Sequence, residues 1–68
     1  MTLATYAARE GMAGQPVRAV SEALSDGHRV ERADEPGRAL SESEAGTAAA
    51  RGLALVVLVE YTQHRSTS

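Results

Sequence analysis

The sequence predicts a single small α+β domain of two layers, in which one or two helices pack on one face of a small, mostly antiparallel sheet. Three observations lead to this prediction. The chain has 68 residues, too few for two separate cores; it contains a well-capped helix from Ser41 to Arg51; and it contains an apolar strand from Leu53 to Tyr61. We expect the domain to occupy residues 1–63 and residues 64–68 to form a polar C-terminal tail.

The first element is predicted from a loose alternation between Thr2 and Glu10. Leu3, Thr5 and Ala7 would share one face of a strand, whereas an alanine-rich stretch ending at Gly11 would also fit a short helix. Because the later strand needs a partner, the strand is the prediction for this segment.

The segment Pro16–Ser25 fits a helix, with proline at the first helical position and apolar residues on one stripe. The alternative is a strand, because Asp26 and Gly27 form a two-residue hairpin signal that would pair it with His28–Ala33 as an edge strand. The alanine, glutamate and leucine content favours the helix. Its apolar stripe consists of Val17, Val20 and Leu24.

The next helix has the clearest local signals in the chain. Ser41 and Glu44 have the spacing of a capping box, in which each side chain bonds the backbone N–H of the other residue. Glu42 complements the positive end of the helix dipole, and Gly52 is suited to end the helix after Arg51. The helix carries a face of small side chains suited to lie against a sheet: Ala45, Ala48 and Ala49.

The segment Leu53–Tyr61 is apolar on both faces up to Glu60, which is typical of a central strand. Its longest apolar run, Leu53–Val59, is too short to cross a bilayer, and the chain does not begin with the pattern of a signal peptide. We therefore expect no membrane association and a location in the cytoplasm.

Catalysis and metal binding are not predicted. The chain has no cysteine, and neither His28 nor His64 has the spacing of a metal ligand pair or a partner for acid–base chemistry. The serines lack the setting of a nucleophile, and no phosphate-binding loop is present. We expect a protein that is not an enzyme and needs no cofactor and no metal.

The charges are distributed unevenly. Between Glu22 and Glu44 there are seven acids and three arginines, a local net charge of −4 within a chain of net charge −2. This acidic centre and the presence of only two aromatic residues argue against direct nucleic-acid binding. The pattern fits either a solvated face that keeps a small domain soluble or a contact surface for a basic partner. The candidate partner-binding residues are Asp26, Glu31, Asp34, Glu35, Glu42 and Glu44.

In its size, its acidic centre, its capped helix and its closing strand, the chain resembles the small phage-encoded anti-CRISPR proteins. The resemblance covers overall character and no residue motif. It implies a non-enzymatic inhibitor that binds a CRISPR effector complex in the bacterial host, through a basic nucleic-acid-binding subunit, and blocks access to DNA by acidic mimicry or steric occlusion. The mild net charge and the arginines within the acidic centre depart from a full DNA mimic.

Two other functions remain open at this point. One is a small homodimeric antitoxin or transcriptional regulator that pairs through an exposed strand edge; the expected state is then a homodimer rather than a monomer. The other is a small nucleic-acid-binding protein that uses the arginines outside the acidic centre, namely Arg9, Arg18, Arg51 and Arg65.

Overall fold

A computed structural model describes residues 1–59, which form three helices and one two-stranded antiparallel sheet. The α+β class predicted from the sequence is therefore confirmed. The elements in chain order are α1 Leu3–Arg9, α2 Pro16–Ser25, β1 Arg29–Arg32, α3 Glu42–Ala50 and β2 Leu55–Leu58.

The sheet pairs β1 with β2, and Val30 lies opposite Val57 at its centre. Both outer edges also have partners: the backbone N–H of Val57 donates to the Met1 carbonyl at 2.7 Å, and the N–H of Leu40 donates to the Val30 carbonyl at 2.8 Å. β2 is paired with one strand, β1, and on its other side with the single bridge formed by Met1 and Thr2, so within residues 1–59 it is not the central strand that the sequence predicted. It is shorter than the predicted segment Leu53–Tyr61, whose last two residues lie outside the described range, as does the predicted tail.

The predicted N-terminal strand is wrong, because residues 3–9 form α1. The hydroxyl of Thr2 accepts a hydrogen bond from the backbone N–H of Thr5 at 3.1 Å and caps this helix. The buried residues Leu3, Tyr6 and Ala7 follow helical rather than strand spacing. β2 finds its main partner in β1, so an N-terminal strand is not required.

Segment Pro16–Ser25 is a helix, as favoured, and the hairpin alternative is wrong. Pro16 occupies the first turn, and Gly27 follows the helix with a φ of +84°, which favours glycine. The predicted apolar stripe is rotated, because Val17 is exposed. The buried side chains of α2 are Ala19, Val20 and Ala23.

The predicted capping box of α3 is present: Ser41 Oγ accepts from the Glu44 N–H at 3.1 Å, and the Ser41 N–H donates to Glu44 Oε1 at 3.0 Å. The helix ends at Ala50 with Arg51 as its C-cap, and Gly52 has a φ of +77°. The neighbour of its alanine face differs from the prediction, because α3 packs mainly against α2 rather than against the sheet. Small side chains on both helices allow close packing of α2 and α3, and the alanine face of α3 is thereby buried.

The core lies between the helices and the sheet. Its largest fully buried side chains are Val20, Val30 and Val57, one each from α2, β1 and β2. Within residues 1–59, no helix combines the length and the hydropathy that a bilayer span requires.

Candidate binding surfaces

Most of the predicted contact residues lie on or beside the segment that joins β1 to α3, residues 33–41, which we call the connector. The connector contains a turn at Glu35, where the Glu35 N–H donates to the Arg32 carbonyl at 3.1 Å, and Gly37 has a φ of +95°. It returns to the sheet at Leu40 and enters α3 through Ser41. Pro36 and Gly37 in this segment are residue types typical of turns.

Glu31 projects beneath the connector and is buried, with 7% of its surface exposed. Its Oε1 accepts the Gly37 N–H at 2.9 Å, its Oε2 accepts from Arg29 Nε, and Arg29 Nη2 donates to the Gly37 carbonyl at 2.9 Å. The Gly37 N–H, and then Arg29, hold the pKa of Glu31 below its ordinary value. Glu31 therefore holds the connector in place and is not available to a partner.

Asp34 forms a two-pronged pair with the guanidinium of Arg32, at 2.9 Å to Nε and 2.7 Å to Nη2. Hydrogen bonding to Arg32 lowers the pKa of Asp34. The Asp34 side chain nevertheless remains 63% exposed. It is held in one orientation at the surface.

Arg38 links Glu35 to Glu44, with distances of 3.5 Å and 3.4 Å to their carboxylate oxygens. The Ser41 N–H, and then Arg38, lower the pKa of Glu44. Both carboxylates are about half exposed. Glu42 lies exposed in the first turn of the same helix.

Asp26 lies apart from these groups, because it caps the end of α2 before β1 begins. The intervening four-residue strand is about 13 Å long. Asp26 Oδ2 accepts a hydrogen bond from the Tyr6 hydroxyl at 3.1 Å. Burial, followed by this bond and the charge of Asp26, raises the pKa of Tyr6 to about 12.

The structure thus brings four of the six predicted residues together and separates two. We call the group of four exposed carboxylates the acidic rim; it consists of Asp34, Glu35, Glu42 and Glu44. Glu31 lies underneath it and Asp26 at the far end of β1. The sequence prediction did not divide the six residues. The four of the rim lie close together in the chain, whereas the burial of Glu31 depends on a contact with Gly37 that the local sequence does not show.

A second surface was not predicted, and it surrounds Leu53. An apolar groove of about 350 Å³ and an arginine-lined groove of about 290 Å³ both include Leu53 in their walls. A smaller depression of about 160 Å³, bounded by Ala33 and Ala54, also includes it. Leu53 was assigned to a central strand, but β2 begins at Leu55 and leaves Leu53 exposed in the segment between the end of α3 and β2.

The imidazole of His28 packs edge-on against the ring of Tyr6, with centroids 5.9 Å apart. Its Nδ1 is buried and has no hydrogen-bond partner within residues 1–59. No three His, Asp or Glu side chains of that range converge as metal ligands would. His64, the other predicted non-ligand, lies outside the described range.

Comparison with protein-family models, with curated proteins and with solved structures finds no match to this chain. The proposals below therefore rest on the chain's own geometry and chemistry, together with the overall character of its sequence.

Proposed function

We propose that this protein is a non-enzymatic inhibitor that binds a basic protein surface through the acidic rim. The partner class that we propose is a nucleic-acid-binding subunit of a CRISPR effector complex in a bacterial cell. The observation that supports the proposal is the acidic rim itself: four exposed carboxylates, three of them held by arginine or by a helix cap.

Held carboxylates are suited to binding because less side-chain freedom is lost when a partner arrives. The pairs with Arg32 and Arg38 are exposed, so they contribute little stability and exchange easily for other donors. Within residues 1–59, Glu35 Oε2 and both oxygens of Glu42 accept no hydrogen bond, whereas Asp34 and Glu44 use both oxygens. An arginine of the partner can make charge-assisted hydrogen bonds to these unused oxygens, or replace Arg32 and Arg38 on the others. The rim therefore combines fixed geometry with accessible acceptors.

Inhibition would follow from competition for the same cationic groups. A nucleic-acid-binding subunit neutralises phosphates with lysine and arginine, and this electrostatic contribution supplies much of its affinity. Carboxylates placed on those side chains remove them from DNA, and the body of the domain adds a steric block. Arg32 and Arg38, which pair with rim carboxylates, reduce the net charge of this surface. Steric occlusion is therefore expected to contribute part of the inhibition.

The direct test is a gel-shift assay of target DNA with purified effector complexes of several types, with and without this protein. We expect the wild-type protein to block DNA binding by at least one complex. The triple variant D34N/E35Q/E42Q should lose most of this inhibition because it keeps size and polarity while removing three rim charges. A charge-matched comparison is D34N/E42Q against E10Q/E22Q, which removes two exposed acids elsewhere; only the first should lose inhibition.

Two results would contradict the proposal in different ways. Inhibition that weakens equally in D34N/E42Q and in E10Q/E22Q would show that overall charge, and not the rim, is responsible. An absence of both inhibition and binding with every complex tested would reject the CRISPR effector as the partner class.

The geometry gives less support to the alternative of a regulator that dimerises through a strand edge. The backbone groups on the outer sides of β1 and β2 are already paired at Val30 and Val57. A monomer by light scattering at micromolar concentration would agree with the inhibitor, whereas a stable dimer would favour the regulator.

A further inference from the structure

We infer that Asp26 is a site of spontaneous chemical modification, at which the peptide bond to Gly27 converts to an isoaspartyl bond at a rate set by local opening of the turn between α2 and β1. Asp26 lies outside the acidic rim, so this inference is independent of the proposed function. It rests on the residue pair Asp26–Gly27, on the conformation of the turn and on the hydrogen bond between Asp26 and Tyr6.

The sequence provides the reactive pair at one position. Isoaspartate forms when the backbone nitrogen that follows an aspartate attacks its side chain, and the attack is least obstructed when the next residue is glycine, which has no Cβ. The chain contains two aspartates and no asparagine. Asp26 precedes Gly27, whereas Asp34 precedes Glu35. Because both aspartates are exposed to water, Asp34 serves as an internal control.

The reaction needs no oxidant and no co-reactant other than water. The Gly27 nitrogen attacks Cγ of the protonated Asp26 carboxyl group, a C–N bond forms, and the Gly27 N–H proton leaves with the carboxyl OH group as water. Water then adds to one of the two carbonyl carbons of the five-membered succinimide. Cleavage between the nitrogen and Cγ restores aspartate. Cleavage between the nitrogen and the former backbone carbonyl leaves the chain running through Cγ and releases that carbonyl as a carboxylate.

The folded turn holds the reacting atoms in an unproductive geometry. Asp26 is the C-cap of α2 with a ψ of 2°, and Gly27 follows with a φ of +84°. A five-membered ring requires Cβ of Asp26 and the Gly27 nitrogen to be nearly eclipsed about the Cα–C bond. At the observed ψ the Gly27 nitrogen eclipses the Asp26 nitrogen instead. The Cα–C bond must therefore rotate before the ring can close.

Two backbone hydrogen bonds oppose that rotation. The Gly27 N–H donates to the Leu24 carbonyl and the His28 N–H donates to the Ala23 carbonyl, both at 3.0 Å. This pair of bonds is the Schellman arrangement, which ends a helix at a residue of positive φ. The attacking nitrogen is thus engaged in the folded turn, and its bond to Leu24 must break before it can reach Cγ.

Tyr6 holds the carboxyl group of Asp26 from α1. Its hydroxyl donates to Asp26 Oδ2 at 3.1 Å, and the residue is only 4% exposed. Because the buried ring cannot follow the carboxyl group as the turn opens, this hydrogen bond must break as well. The net contribution of one hydrogen bond corresponds to about a two- to tenfold change in the population of the open turn.

The modification should damage the junction between α2 and β1. An isoaspartyl bond adds one carbon to the backbone at this point, so the Gly27 N–H is displaced from the Leu24 carbonyl. The carboxylate moves to the former backbone carbonyl, so Tyr6 loses its acceptor. We therefore expect the purified modified protein to have a lower thermal midpoint than the unmodified protein.

The test follows isoaspartate formation in the full-length protein during incubation at neutral pH and 37 °C. A protein isoaspartyl methyltransferase quantifies the product, and peptide mapping locates it. We expect isoaspartate at Asp26 and not at Asp34, with formation more than about tenfold faster in urea-unfolded than in folded protein. Folded Tyr6→Phe should form it about two- to tenfold faster than the folded wild type.

Two control variants separate local opening of the turn from unfolding of the whole domain. Ser41→Ala removes the cap of α3, a loss of stability comparable to that of one hydrogen bond, and leaves the turn between α2 and β1 intact. It should therefore form isoaspartate at the wild-type rate, and urea denaturation checks that its stability matches that of Tyr6→Phe. Asp26→Glu should abolish the product, because its longer side chain cannot form the five-membered ring.

Several results would overturn the inference. Equal rates in folded and urea-unfolded wild type would show that the turn does not control the reaction. Formation at Asp34 as fast as at Asp26 would remove the role of glycine. Equal acceleration in Tyr6→Phe and Ser41→Ala would assign the reaction to global unfolding, and no acceleration in Tyr6→Phe would show that its hydroxyl does not hold the turn closed. None of these outcomes depends on the acidic rim, so failure of one proposal does not decide the other.

Discussion

The interface between α2 and α3 and the connector between β1 and α3 are held together by different chemistry. The helix interface is built from side chains that carry no polar group, and its buried residues are alanines and one valine, Val20. The connector is held by arginine–carboxylate pairs and by backbone N–H groups that donate to carboxylates. α3 takes part in both, because its first turn ends the connector and its alanine face meets α2.

The stability of these two regions should depend on different variables: side-chain size at the helix interface, and salt and pH in the connector. Close contact between alanines leaves no room for added atoms, and it depends little on salt or pH. Exposed ion pairs tolerate changes in side-chain size, but they weaken with salt and with protonation. The helix interface is therefore sensitive to added side-chain volume, and the connector is sensitive to salt and pH.

The largest effect is expected from Ala45→Leu at the helix interface. Ala45 is fully buried, so the larger side chain should force the helices apart and lower the free energy of unfolding by about 1–3 kcal/mol. Urea denaturation followed by circular dichroism measures this change. Ala50→Leu, on the exposed end of the same helix, should change it by less than about 0.5 kcal/mol. Equal losses in the two variants would mean that the alanine face is not closely packed.

The next effect is expected from Glu31→Gln beneath the connector. The amide removes the charge, and its NH2 group would face either the Gly37 N–H or Arg29 Nε, so that one donor meets another. The thermal midpoint at pH 7 should therefore fall by about 5–10 °C. Because the folded state lowers the pKa of Glu31, its contribution is complete above the ordinary value of 4.5 and is lost as pH falls through the lower, folded-state pKa. The wild type and the variant should therefore converge in acid.

The control for this prediction is Glu10→Gln, which removes an exposed acid after α1 and should leave the midpoint unchanged. A constant difference between wild type and Glu31→Gln down to pH 2 would show that the loss comes from packing and not from charge.

A smaller effect is expected from Tyr6→Phe, which removes the hydrogen bond between α1 and the end of α2. The loss should be about 0.5–1.5 kcal/mol at pH 7. Since folding raises the pKa of Tyr6 from 10.0 to about 12, the wild type should lose stability as pH rises from 10 to 12. The variant should lose less over that range. Urea midpoints at pH 8 and pH 11 measure both effects, and parallel losses in the two proteins would contradict the role of the Tyr6 hydroxyl.

The smallest effect is expected from Arg38→Gln in the exposed part of the connector. Loss of its pairs with Glu35 and Glu44 should lower the thermal midpoint by less than about 2 °C at low salt and by nothing measurable in 1 M salt. Arg18→Gln provides the comparison for an arginine outside the connector. A larger loss that persists in high salt would place Arg38 among the structural groups with Glu31.

Local signals predicted the parts of the fold that depend on neighbouring residues. Ser41 and Glu44 specify the start of α3 within four positions, and Pro16 indicates the start of α2. The N-terminal segment failed because Leu3, Thr5 and Ala7 fit a strand, whereas burial of Leu3, Tyr6 and Ala7 requires a helix. Which set is buried depends on α2 and β2, which lie far away in the sequence.

For the candidate surfaces too, the sequence did not reveal features that depend on contacts between distant residues. The members of the acidic rim were predicted only as part of the set of six, although they lie within eleven positions of one another, from Asp34 to Glu44. The role of Glu31 and the surface around Leu53 depend on contacts formed by the fold, with Gly37 in one case and with α1 and α3 in the other. The apolar run from Leu53 to Val59 indicated burial, so nothing in it marked Leu53 as exposed.

The pairing of the sheet on both edges also bears on self-assembly into fibrils. Leu55–Leu58 is a short apolar segment with two adjacent valines, the composition that forms stacked strands when its backbone is free. In the folded chain, β1 covers one side and Met1 the other. Fibril formation should therefore begin with local opening at Met1 or at β1, and its rate should follow the fraction of molecules in which β2 has lost one neighbour.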